Sequence, residues 1–211
     1  MAEQFAVLSP QDPRRSIAIG WAAPIIAIEN PAEGIEMSRA SLALQLKAFS
    51  PQHPNVTSVK QDLAVMLLHT GQTAEGTALI REVVAQTGEQ FGAHHTAYAG
   101  AIGFLSEALL QAGKVDSAEA LVKRAVAIRT ATFGAQAPIT ALSSLGLARI
   151  VATRGDTAAA DSIYDAAREI LLRQTTREHP DVRFVDSLRA VLHVGRDGVR
   201  PVRLQSAQRP H

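Results

Sequence analysis

The 211-residue sequence contains no cysteine, and aromatic side chains make up only 4% of it. Without thiols the chain has no means of forming disulfides, thiolate metal sites or a cysteine nucleophile, and a reducing cytoplasm is its expected location. The 21 basic and 20 acidic residues nearly balance, so the sequence lacks the basic excess that is typical of nucleic-acid-binding proteins. It also lacks an apolar run of the roughly 20 residues needed to span a membrane. Neither a nucleic acid nor a membrane is therefore expected as a partner.

One apolar run near the N-terminus, residues 17–28, resembles a targeting signal because it directly follows Arg14, Arg15 and Ser16. Paired arginines before an apolar segment are typical of export signals, but Pro24 interrupts this run and no small-residue cleavage site follows it. Export through this segment stays open as an alternative to a cytoplasmic location.

The most prominent feature of the sequence is a repeat of 42 residues. When the sequence is shifted by this length, glycines, leucines and small residues coincide with their own kind. The coinciding sets are Gly71, Gly113 and Gly155; Leu63, Leu105 and Leu147; Ala64, Ser106 and Ala148; and Gly76, Ala118 and Ala160. Periods of this length are typical of helical solenoids, in which each unit buries its apolar face only against its neighbours. The sequence therefore predicts an all-α solenoid of antiparallel helix pairs.

Within each pair, the glycine of the first set ends one helix, because glycine accepts the left-handed backbone that favours a helix C-terminus. Thr73 is predicted to cap the helix that follows Gly71. The array is predicted over residues 13–195, between a disordered segment at 1–12 and a flexible basic tail at 196–211. Its predicted helix pairs are 13–50, 54–92, 96–134 and 138–177, followed by a capping helix at 180–195.

The opening pair is a degenerate copy of the others. The motif SPQDP at 9–13 recurs as SPQHP at 50–54, which makes residues 17–28 the first helix of the array. On this interpretation Trp21 lies in the core, and Pro24 kinks the helix or ends it early.

With the register established, the sequence resembles a tetratricopeptide repeat protein of the 42-residue kinesin light chain-like type, closely over 53–182 and weakly over 13–50. The resemblance rests on equivalent motifs in successive repeats. These are Leu63-Ala64, Gly71, Gly76, Phe91-Gly92 and His95-Thr96; Leu105-Ser106, Gly113, Ala118, Phe133-Gly134 and Ala137-Pro138; and the flanking His53-Pro54-Asn55-Val56 and His179-Pro180-Asp181-Val182. It implies a right-handed superhelix, whose first helices line a concave groove that binds extended segments of partner proteins.

Two rows of residues are predicted to face this groove from the first helices. They are Gln61, Gly103 and Leu145, and Val65, Glu107 and Arg149. In the family an Asn-Asn pair before the Leu-Ala motif commonly holds the ligand backbone. This chain has Gln61-Asp62, Gly103-Phe104 and Leu145-Gly146 there, and Gly and Leu offer no side-chain hydrogen bond.

The sequence contains no motif that predicts catalysis, a metal or a cofactor. His53, His95 and His179 recur at multiples of 42 residues, so each occupies an equivalent turn and is predicted to serve in turns or caps. Phosphate-binding loops, nucleophile elbows and zinc-protease helices are absent. The prediction is a non-enzymatic scaffold that binds a partner peptide or helix in its groove.

Two alternatives remain open from the residues alone. In the first alternative, the chain is a sensory or docking part of a larger bacterial signalling protein, such as a kinase or a transcriptional regulator. In the second, it is a structural module that forms homo-oligomers through its terminal helices.

Overall fold

The computed structural model describes residues 13–194, with side chains from 16 to 193, and this part of the chain is helical throughout apart from short turns. The predicted segments 1–12 and 196–211 lie outside the described residues, as does residue 195, the predicted end of the capping helix. The nine described helices are α1 (Pro13–Glu29), α2 (Pro31–Ala48), α3 (Pro54–His69), α4 (Thr73–Phe91), α5 (Thr96–Gln111), α6 (Val115–Phe133), α7 (Pro138–Thr153), α8 (Thr157–Leu172) and α9 (Pro180–Val194). The all-α prediction is confirmed.

The described part of the chain divides into two compact units, with the division between residues 128 and 129 inside α6. In the first unit α1 packs on α2, α2 on α3, α3 on α4 and α4 on α5; in the second, α7 packs on α8 and α8 on α9. Consecutive antiparallel pairs are the arrangement of a solenoid, in which each element contacts its neighbours in sequence. None of the helices between residues 13 and 194 is both long and apolar enough to cross a lipid bilayer.

The 42-residue glycines end the first helix of three pairs in the same way. Gly71, Gly113 and Gly155 have φ of 80°, 73° and 90°, so the predicted left-handed turns are confirmed. Each turn is closed by a bond from the backbone N–H after the glycine to a carbonyl five residues earlier in sequence. The bonds run from Gln72 to Leu67 at 2.8 Å, from Lys114 to Leu109 at 2.8 Å, and from Asp156 to Val151 at 3.2 Å. This satisfies helix-end carbonyls that would otherwise lack a donor.

The predicted cap at Thr73 is wrong. Gln72 occupies the cap position of α4 and makes no side-chain capping bond, while Thr73 Oγ1 donates a long 3.5 Å bond to the Gly71 carbonyl. The reason is that α4 begins at Thr73 itself, so its hydroxyl is already in the first turn. At the equivalent place before α8, Asp156 is the cap, and its Oδ1 accepts from the Ala159 N–H at 3.0 Å.

Small residues let the two helices of each pair approach closely. Gly34, Gly76, Ala118 and Ala160 are all buried near the start of a second helix, at intervals of 42 residues. A Cβ on Gly76 would lie 3.0 Å from the Ala64 carbonyl oxygen of α3. Between α5 and α6, the Ser106 hydroxyl donates to the Ala118 carbonyl at 2.8 Å. The predicted small positions are therefore helix contact points.

The opening helix contradicts the prediction for Trp21 and excludes one of the two alternatives for Pro24, an early end of the helix. Trp21 is 76% exposed, not in the core, because α1 contacts α2 through the opposite side, where Ala23 is fully buried. Pro24 does not end α1, which continues to Glu29. A proline inside a helix costs about 3 kcal/mol, and we attribute its tolerance here to the packing of α1 against α2.

Candidate functional site

Five of the six side chains or positions predicted to face a groove are accessible to some degree. Gln61 and Val65 on α3 are half-buried, as is Glu107 on α5, whose Oε1 accepts from Gln111 Nε2 at 3.1 Å. At Gly103 on α5 the surface is open, since a Cβ built there meets no atom within 4 Å. In the second unit, Arg149 on α7 is half-buried.

Leu145 is the exception among these predicted residues. It is only 4% exposed and belongs to the core of the second unit, with Ala141, Ala148 and Tyr164. The prediction that Leu145 faces the groove is therefore wrong. The 42-residue register placed it correctly on α7, but the side chains packed around α7 cover this position. Its side chain is not available to a ligand.

The repeated histidines cap helices. Nδ1 of His53, His95 and His179 accepts from the backbone N–H two residues further on, at 3.2, 3.1 and 3.3 Å respectively. The rings of His53 and His95 also stack on Phe49 and Phe91, with centroids 4.2 and 4.8 Å apart. Among residues 13–194, no group of three carboxylate, imidazole or thiol side chains is placed to hold a metal ion together.

The first unit contains an apolar pocket of about 360 Å³ on the first helices of three successive pairs. Its lining residues are Pro24, Ala27 and Ile28 of α1; Pro31 of α2; Asp62, Val65, Met66 and His69 of α3, with Thr70 after it; and Phe104 of α5. Pockets that bind ligands have volumes of about 300–1,000 Å³ and mostly apolar walls with few polar groups. This pocket meets both criteria.

An exposed apolar stripe on α1 continues the pocket outward. Trp21, Ile25 and Ile28 are 76%, 69% and 81% exposed, and Ile28 belongs both to this stripe and to the pocket wall. Their spacing of four and three residues places them on one face of a helix. Contiguous exposed apolar surface of this kind typically marks an interaction site.

Asp62 is the only carboxylate among the residues that line the pocket. Burial raises the pKa of this carboxyl above its ordinary value, and no charge or hydrogen bond acts in the other direction. Within the described part of the chain, its carboxylate has no hydrogen-bond or ion-pair partner. The nearest lysine along α3, Lys60, is engaged elsewhere, with its Nζ 2.9 Å from Glu82 Oε2.

Residues 99–173 match the family model of the tetratricopeptide repeat. This confirms the resemblance that the sequence indicates. No curated protein sequence is significantly similar to the chain.

Solved structures extend the likeness to most of the chain. Two crystal structures of a Podosopora anserina protein with nearly identical TPR-like repeats, assigned as a kinesin light chain, match at TM-scores of 0.66 and 0.65 with 23% identity. The matches cover 86% of this chain, and 86% and 87% of those chains. BtubC (BKLC) from P. vanneervenii matches at a TM-score of 0.55 with 14% identity, over 95% of this chain and 98% of that one. At these identities the likeness establishes the fold, which is that of kinesin light chain-like tetratricopeptide repeats.

In the tetratricopeptide-like register, the pocket includes positions that the family fills with an Asn-Asn pair. Asp62 and Phe104 are equivalent residues of successive repeats, and both line the pocket. In the preceding repeat the SPQDP-to-SPQHP offset of 41 residues aligns Trp21 with Asp62 and Ile28 with His69. Sequence reasoning placed Asp62 and Phe104 at the positions of this pair but did not count them as site residues. It missed Trp21, Ile25 and Ile28, although the 41-residue offset contained the signal.

The last helix of the second unit is attached by ion pairs. Asp161 Oδ1 of α8 lies 2.9 Å from both Arg189 Nε and His193 Nε2 of α9, and Arg189 also pairs with Asp165. The hydrogen bonds from His193 and Arg189 lower the pKa of Asp161. Since these groups satisfy one another, their arrangement is that of an attachment between α8 and α9 and not of a ligand site.

Proposed function

We propose that the chain is a non-enzymatic scaffold whose first unit binds a segment of a partner protein in the pocket on α1, α3 and α5. Tetratricopeptide repeats generally mediate interactions between proteins. The observation that carries the proposal is the apolar pocket of about 360 Å³, which is continuous with the exposed stripe of Trp21, Ile25 and Ile28.

The composition of this surface favours a protein segment over a small polar ligand. Tryptophan is among the residues that contribute most to the binding energy of protein interfaces, where such side chains insert into desolvated pockets. Fully burying one aliphatic side chain contributes about 1.5–3 kcal/mol, so covering Ile25 and Ile28 would be substantially favourable. A partner segment that carries at least one large apolar side chain would supply this cover.

The proposal is tested by selecting short random peptides, displayed on phage, against the immobilised full chain. We expect enrichment of peptides with large apolar residues, and loss of their binding in Ile28→Gln. The matched control is Val191→Gln, because Val191 is also an exposed aliphatic side chain, at 73%, but lies on α9 in the second unit. Enrichment that Ile28→Gln leaves unchanged would contradict the proposed site, and no enrichment at all would contradict the function.

A second candidate function is self-association through the terminal helices. It is favoured by exposed apolar side chains on α9, where Phe184 is 53% and Val191 73% exposed, in addition to the α1 stripe. Sedimentation velocity across a range of protein concentrations tests it. A sedimentation coefficient that rises with concentration in the wild type, but not in Trp21→Ser, would support self-association in place of heterologous binding.

The cytoplasmic location and the larger signalling protein remain predictions from the sequence. Fluorescence microscopy of the tagged full chain tests the first, and the genes next to its reading frame test the second.

A further inference from the structure

The pocket combines two properties that a purely hydrophobic site would not have. Its walls are apolar, yet the Asp62 carboxylate lies in the wall without a hydrogen-bond or ion-pair partner among the described residues. A partly desolvated carboxylate without a partner lowers stability; an alanine would avoid that cost, and an uncharged asparagine would reduce it. The lining residues include no lysine or arginine that would compensate it.

We propose that the occupant of the pocket is a segment of a protein partner that presents a lysine or arginine side chain to Asp62, next to a large apolar residue. This inference rests on the proposed function and specifies its partner by charge. The apolar residue covers the stripe of Trp21, Ile25 and Ile28, and the cationic side chain enters the pocket.

The dimensions and walls of the pocket suit a long side chain with a charged end. A volume of about 360 Å³ lies within the range of pockets that bind ligands, about 300–1,000 Å³. Lysine and arginine bury their methylene stems along apolar surface while the charged group reaches a polar partner. Val65, Met66 and Phe104 offer that apolar surface beside Asp62. The aromatic face of Phe104 is also a favourable neighbour for a cation.

The raised pKa of Asp62 is consistent with this role. Burial alone shifts the pKa of the carboxyl upward in the free protein, and an adjacent cation would shift it back by stabilising the charged form. The carboxylate also supplies specificity, because a segment with an acidic residue at this place would leave two like charges in a partly desolvated site.

The probe is again a phage library of short random peptides, now selected in parallel against the wild type and Asp62→Asn. The expected result is that wild-type selections enrich a basic residue near an apolar one, whereas Asp62→Asn selections keep the apolar preference and lose the basic one. Glu36→Gln is the matched control, since it removes the same charge from an exposed position on α2 that does not line the pocket. Glu36→Gln selections should resemble those of the wild type.

Synthetic versions of the enriched peptides give the quantitative test. Replacing the basic residue by glutamine should weaken binding to the wild type about tenfold, as is typical of one charge-assisted hydrogen bond. The same replacement should leave binding to Asp62→Asn nearly unchanged. An equal loss with both proteins, or enrichment of apolar peptides without basic residues, would overturn this inference and leave the proposed function standing. Absence of any enriched peptide would overturn both.

Discussion

Gly34, at the start of α2, offers the sharpest test of how the helix pairs are packed. A Cβ added there would lie 2.5 Å from Ala27 Cβ, 2.8 Å from Ala27 Cα and 2.8 Å from the Ala23 carbonyl oxygen, all on α1. Two of these three atoms belong to the backbone, so no side-chain rotation relieves the overlap. Gly34→Ala therefore forces α1 and α2 apart.

The magnitude follows from two opposing effects. Overpacking a well-packed core costs about 1–3 kcal/mol, and contacts with backbone atoms place this site at the upper end. Alanine is a better helix former than glycine by about 0.8–1.0 kcal/mol, which offsets part of the cost. We expect Gly34→Ala to lower the free energy of unfolding of the first unit by about 2 kcal/mol.

Gly103→Ala is the matched control for this substitution. It introduces the same methyl group in α5 of the same unit, where the added Cβ meets no atom within 4 Å. Only the helix-propensity gain applies, so this variant should be more stable than the wild type by up to about 1 kcal/mol. Urea unfolding followed by far-UV circular dichroism measures both. The packing argument would be refuted by a Gly34→Ala protein that is stabilised as Gly103→Ala is.

Three further predictions concern one side chain each. Ala118→Leu should destabilise by about 1–3 kcal/mol, because Ala118 is fully buried against α5; an unchanged melting temperature would mean that this contact is absent. Asp161, whose pKa is lowered by the hydrogen bond from His193, contributes stability above the ordinary pKa of 3.8 and loses it as the pH falls through the lower folded value. The melting temperature of Asp161→Asn should accordingly lie below that of the wild type near about pH 7, and the difference should shrink as the pH falls below 3.8. For Asp62 the effect of pH on stability has the opposite sign, because burial raises its pKa and the charged form destabilises the folded state as the pH rises through the folded pKa. Asp62→Asn should therefore raise the melting temperature at about pH 7 and not at about pH 3. A lower melting temperature of Asp62→Asn at neutral pH would indicate that the carboxylate has a partner.

The helices and their turns were predictable because their determinants are local. A glycine such as Gly71 ends its helix by its own backbone preference, and a histidine such as His53 caps through an N–H two residues away. The small residue at Ala118 was identified by its register, since equivalent positions in a repeat meet equivalent neighbours. Thr73 shows the limit of this reasoning, because a shift of one residue in the start of α4 removes its capping role.

The sequence by itself determined the all-α class, the 42-residue pairing of helices and the resemblance to tetratricopeptide repeats, all of which depend on periodicity. Only the tertiary structure decided which side of each helix is covered. It placed Leu145 in a core and left Trp21 exposed, although both are large apolar residues at helical spacing. It also brought Asp62 and Phe104, from different repeats, into one apolar pocket. The physical reason is that burial depends on which neighbouring helices cover a side chain, and this cover is not the same in every repeat. Leu145 is buried, whereas the equivalent Gln61 and Gly103 are only half-buried.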